Sequence, residues 1–139
     1  MPQAPAPLPH APALLRSLCW SLGYAPPETL DAFSEAVAKY QRDILDTDEH
    51  WRPNEVLVRA TRLTLLYDHW DDDQQDHVTA RVELTSDAGE HRAAQIMYAL
   101  SQHAAIPLHH RDRHFFEGLR LQSHLSSEDH AFYRVSLGS

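Results

Sequence analysis

Near the C-terminal end the chain reads LHHRDRHFFEG, from Leu108 to Gly118: three histidines, two arginines and an aspartate running into two phenylalanines. Three chemistries could use such residues. His110 and His114 stand four apart, the spacing that sets two imidazoles on one helical face in zinc motifs. Here Arg111, Asp112 and Arg113 lie between them, and two guanidiniums repel a dication. Pro107 and the Phe-Phe pair also disfavour a helix. In an extended chain His110, Asp112 and His114 share one face. The reading favoured over a metal site is a charged loop entering a strand, with no metal and no cofactor.

Acyl-transfer chemistry lacks its usual parts. A serine or cysteine nucleophile needs an oriented base and an oxyanion hole, and no G-x-S-x-G elbow is present. The four glycines, Gly23, Gly89, Gly118 and Gly138, form no phosphate-binding loop. Carboxylates crowd together in YDHWDDDQQD, where Asp71, Asp72 and Asp73 suit a solvated turn better than the spaced ligands of a calcium loop. Adjacent His and Asp residues, such as Asp68 with His69, leave catalysis open, with the balance against it.

The elements that must position these residues follow from periodicity. MPQAPAPLPHAP, residues 1–12, has no apolar period and reads as an extended Pro/Ala arm ahead of a single domain over 13–139. Leu14, Leu15, Leu18 and Leu22 fall at helical spacing and predict a short helix ending at Gly23. Leu30, Phe33, Val37, Tyr40 and Ile44 step by three and four and predict a second helix, starting after Pro26 and Pro27. The run NEVLVRATRLTLLYDHW fits helix or strand. The unbroken alternation Val78, Ala80, Val82, Leu84 beyond the acidic turn decides for a β-hairpin over 57–86. A helix follows over DAGEHRAAQIMYALSQHAA, with Asp87 as N-cap and Glu90 three residues on. HFFEGLRLQS and HAFYRVSLGS close the chain as two more alternating runs. The fold expected is α+β: two N-terminal helices, then a β-β-α-β-β unit forming a mainly antiparallel four-stranded sheet.

The pleat then sorts side chains. With Phe115, Leu119 and Leu121 facing inward, His114, Phe116 and Arg120 point outward. Phe132 and Arg134 of the last strand and Arg81 of the second join them. The binding residues expected are therefore Arg81, His114, Phe116, Arg120, Phe132 and Arg134. Aromatics among arginines suit a protein hot spot or a planar anionic ligand. The competing arrangement lays the second helix over this face and makes Phe116 and Phe132 core.

Composition bounds the partners. The 139 residues carry a formal charge of −8 with 11 histidines neutral. That argues against general nucleic-acid binding and permits a basic partner. Unperturbed imidazoles titrate near pH ~6.5, so the negative charge should fall steeply as the solution is acidified. Cys19 is the only cysteine, set among Leu18, Trp20 and Leu22, which reads as a structural thiol in a reducing compartment. No stretch has the pattern of a secretory signal or a membrane span, so a cytoplasmic location is expected. The function expected is a non-enzymatic protein-interaction or regulatory module, similar in size and charge to immunity proteins and adaptors. One alternative is a binder or enzyme for an anionic small molecule, using Arg111, Arg113, His114 and Arg120. The second alternative is a histidine-rich metal binder.

Overall fold

The computed structural model describes residues 8–139. The first seven residues of the expected arm lie outside this range. From His10 onward the chain is tied to the body. His10 Nε2 lies 2.9 Å from the Ser127 carbonyl, the Tyr133 hydroxyl donates to Ala11 O, and Leu121 N–H donates to Pro12 O.

The segment expected as a first helix folds as two short strands, β1 (Ala13–Leu14) and β2 (Trp20–Ser21). Leu14, Leu18 and Leu22 are buried as their spacing demanded. Burial at this interval does not require a helix, and Leu15 sits at φ 56, where a right-handed helix cannot run through it. The segment instead gives its backbone to an otherwise open sheet edge, which satisfies amide groups a helix would have paired internally.

Helix α1 (Leu30–Leu45) begins at Thr29, whose hydroxyl accepts from Ala32 N, and ends at Asp46 in the left-handed region. Phe33 and Val37 are fully buried, Leu30 and Tyr40 half-buried, and Ile44 exposed. The stripe therefore rotates off the core in the last turn. Gln41 takes an inner position instead. It is fully buried, accepts from Cys19 N at 2.9 Å, and donates to the Cys19 and Val37 carbonyls. Cys19 itself is half-buried and free.

Strand β3 (Val56–Val58) pairs with β6 (His91–Arg92) in a small two-stranded sheet. The hairpin follows as β4 (Arg62–Asp71) and β5 (Asp76–Thr85), ten residues each in unbroken register, with residues 72–75 as its tip. Helix α2 (Ala93–Ala104) starts later than Asp87 suggested. Its N-cap is Arg92, with the Gln95 side chain returning to the Arg92 N–H. Strands β7 (Phe115–Leu121) and β8 (His130–Gly138) complete the chain.

The chain is thus α+β, but one helix precedes the hairpins, not two, and the main sheet has six strands, not four. Its order is β1–β7–β8–β4–β5, with β2 also on β7. All pairings are antiparallel except β4 with β8, which is parallel from Arg62↔His130 to Leu66↔Arg134. Both helices bury their apolar faces with Leu63, Leu65, Tyr67, Val82, Ala131, Tyr133 and Val135 in one core cluster. These residues define the inner face of the sheet.

The parity expected for β7 is reversed at its start. Phe116 is buried in the core and Phe115 is exposed. The register slips between Phe116↔Leu137 and Leu119↔Val135, three residues against two. This β-bulge turns Phe116 inward while leaving Leu119 inward too. Gly118 carries it at φ +116, and a Cβ there would stand 3.2 Å from Arg16 Cα. A side chain is thus excluded by both conformation and space.

Candidate functional site

Past Leu66 and Arg134 the parallel pair comes apart. β4 continues to Asp71 paired only with β5, and β8 continues to Gly138 paired only with β7. The two parallel strands, each bonded only to its outer neighbour beyond this point, leave a crevice at their carboxyl ends. Here it is a cleft of about 590 Å³, lined by Asp68, His69, Trp70 and His77 of the first hairpin, Arg134, Val135 and Leu137 of β8, and Leu108 with Arg111–Arg113 of the connecting loop. That volume suits a small molecule.

The loop is held by its own histidines. His109 Nδ1 lies 2.7 Å from Gly23 O, and His114 Nδ1 lies 2.6 Å from Arg111 O. The His114 carbonyl accepts from Leu22 N at 2.7 Å, and its N–H donates to Gly138 O. Leu108, nearly inaccessible, anchors the near end of the loop. These contacts place Arg111 and Arg113 on the cleft wall. His109 and His114 therefore fasten the loop, and its arginines present charge. Among the described residues, no group of three or more His, Cys, Asp or Glu side chains is placed to hold a metal ion.

Charges of both signs meet at the cleft, where Arg111 and Arg134 are each paired with a carboxylate and Arg113 is bonded to none among the described residues. The lining brings three guanidiniums together with two carboxylates on a chain whose net charge is −8. Arg134 Nη1 bonds Asp68 Oδ2 at 3.1 Å across the seam, and Arg111 Nη2 bonds Asp72 Oδ2 at 3.1 Å. Thr79 Oγ1 donates to Asp68 Oδ1 at 2.6 Å. The Thr79 hydroxyl first, and Arg134 after it, hold the Asp68 carboxyl below the usual carboxylate range. Asp68 is thus an ionised anchor, not a proton donor. The Trp70 and His77 rings meet edge to face with centroids 5.3 Å apart, and half-buried Leu137 supplies aliphatic surface in front of the buried Leu108 and Val135.

Of the six residues expected to bind, Arg81, Arg120, Phe132 and Arg134 share the outer sheet face. Arg120 stands opposite Arg134, and the Arg81 guanidinium lies 5.7 Å from the Phe132 ring centre. His130 stacks on Phe132 at 4.3 Å, and its Nε2 is 2.8 Å from the Thr64 hydroxyl. Burial, followed by the neighbouring Arg62, pushes the His130 imidazole below its ordinary value. Neither helix lies on this face: the core they share does not include it. Phe116 is in that core and His114 precedes β7, so neither joins the group. Of the six, Arg134 alone belongs to both the face and the cleft.

Periodicity could not reveal Asp68, His69, Trp70 and His77 as cleft residues, because the cleft exists through the parallel β4–β8 contact. The one local signal is a tryptophan set directly before an acidic turn. Comparison with known protein families, with characterised proteins and with solved structures finds no match. No helix among the described residues is long and apolar enough to cross a membrane.

Proposed function

We propose that the protein is a binding module whose cleft receives a small anionic ligand with a flat apolar body. The observation that carries this reading is the gathering of Arg111, Arg113 and Arg134 around an apolar floor where β4 and β8 diverge. Guanidiniums recognise carboxylate and phosphate oxygens by paired, charge-assisted hydrogen bonds. The edges of Trp70 and His77 and the aliphatic wall would accept the body. The lining contains no serine, threonine or cysteine, and Asp68 is committed to Arg134, so binding is favoured over catalysis.

The test uses ¹⁵N-labelled protein titrated with naphthalene-2-sulfonate and with its neutral amide analogue. Shifts are expected at the Trp70 indole and at residues 111–113 and 135–137, with the neutral analogue much weaker. Arg113→Gln should weaken the anion by about tenfold, the value of one charge-assisted hydrogen bond. Shifts scattered over the surface, or equal binding by the neutral analogue, would remove the reading.

A second reading keeps the protein-interaction module. It is favoured by Arg81, Arg120, Phe132 and Arg134 standing together on a face the helices leave uncovered. Phe132→Ala would then abolish capture of a partner from the native host while leaving the naphthalene-sulfonate titration unchanged. Arg113→Gln would do the reverse.

A further inference from the structure

The last strand of the main sheet, β5, has β4 on one side and no strand on the other among the described residues. It is ten residues long, pairs with β4 without a bulge, and contains no proline and no lysine. A bulge, a proline or a lysine ordinarily blunts a sheet edge against pairing, and β5 has none of the three. Val78, Ala80 and Leu84 on its inner side are only partly buried. The strand presents free backbone donors and acceptors beside apolar side chains whose burial is unfinished.

The sequence of β5 is complementary to itself in an antiparallel register centred on Val82. A twofold axis through Val82 sets each Val82 opposite the other. It then sets Ala80 opposite the second copy's Leu84 and Thr79 opposite its Thr85. Arg81 comes opposite the second copy's Glu83, and Glu83 opposite its Arg81. The one kind of charge pair is thus made twice by symmetry, as an isologous contact requires. Moving the axis to Arg81 or to Glu83 brings like charges face to face, which is unfavourable across strands. Arg81 and Glu83 already lie 3.5 Å apart within the strand, with more than half of each side chain accessible. The pairing would close them into an alternating square of four charges. On the inner side, Ala80 and Leu84 of the two copies would cover each other.

We propose that β5 is the surface through which two copies of this chain associate, extending the sheet across a twofold axis at Val82. The two clefts then lie at opposite ends of one continuous sheet, since antiparallel pairing reverses the second copy.

Sedimentation velocity of the full chain over a wide concentration range tests this, with circular dichroism to check folding. The wild type should approach twice the 15.9 kDa chain mass. Glu83→Arg places arginine opposite arginine at both pairs, and its dimer dissociation constant should rise by at least about tenfold. The double variant Arg81→Glu with Glu83→Arg should recover the wild-type constant. An equimolar mixture of the two single variants should form a heterodimer, although each alone stays monomeric. Arg81 also leans on Phe132, so if Arg81→Glu fails to fold, Glu83→Gln replaces it and should give an intermediate constant. A wild type that remains at the chain mass at the highest concentration overturns the proposal. So do single variants that associate as the wild type does.

Discussion

The two edges of the main sheet are finished in opposite ways. At the β7 edge the N-terminal segment contributes two strands of two residues each, separated by a turn with Leu15 at positive φ and set beside the Gly118 bulge. That edge is short, kinked and sealed by Leu14, Leu18 and Leu22. The β5 edge is straight, long and unbroken. An irregular chain can close a sheet more completely than a regular strand can, because each change of direction uses up backbone groups that another molecule would otherwise find. The β7 edge should therefore govern the stability of the single chain, and the β5 edge its association.

The sharpest break in this comparison comes from the buried leucines of the closed edge. Leu22 is 1% exposed, and Leu22→Ala should cost about 2–5 kcal/mol by loss of transfer energy and the cavity left behind. On the open edge, Thr85→Ala should change the monomer by no more than about 0.5 kcal/mol. Urea midpoints of the two variants, measured at low protein concentration, give the contrast directly. Equal losses would mean that the N-terminal segment is not a stabilising cover.

Next in size is the polar fastening of that cover. Gln41 is fully buried and both donates to and accepts from the Cys19 backbone. Gln41→Leu keeps the volume but leaves the Cys19 N–H and C=O without their partner. The expected loss is about 1–3 kcal/mol, with faster hydrogen exchange at the Cys19 amide. Unchanged exchange there would show that the amide finds another acceptor and that the segment is held by its leucines alone.

The same contrast explains what could be read from the residues. The β4–β5 hairpin was legible because ten pairs run without interruption, so alternation in the chain maps directly onto two faces. The middle of α1 was legible for the equivalent helical reason. Simple alternation gives the wrong faces for Phe115 and Phe116 of β7, because a bulge adds one residue and every side chain before it changes face. The spacing of Leu14, Leu18 and Leu22 does not specify a helix, because burial at intervals of four has more than one backbone solution and the distant β7 edge decides between them. Gln41 leaves no signal in the chain, because the Cys19 backbone groups it pairs with lie 22 residues away. The cleft was half legible. Arg111 and Arg113 were singled out by charge, but their companions Asp68, Trp70 and His77 are joined to them only by the parallel β4–β8 seam, which leaves no periodic trace.

The smallest effect expected is set by pH and lies where β6 meets the start of β4. His91 is 3% exposed, and its Nε2 lies 2.9 Å from Ala60 O, just before β4. Burial pushes this imidazole below its ordinary value of 6.5, and the carbonyl contact only partly opposes it. The native state therefore holds His91 neutral at a pH where the unfolded chain would already take up the proton. Stability from this group is complete above the unfolded value of 6.5. It declines as pH falls from there toward the lower native value, because the unfolded state binds more protons over that interval. His130, depressed chiefly by burial and then by Arg62, adds a slope of the same sign. Asp68, held low by Thr79 and Arg134, acts only in the more acidic carboxylate range. Urea midpoints should thus fall between pH 7.5 and 5.5, before the carboxylates titrate. The decline should flatten in His91→Gln, whose amide can still donate to Ala60 O. A variant whose midpoint falls as steeply as the wild type would assign the slope to the other histidines and separate the β3–β6 corner from the pH response.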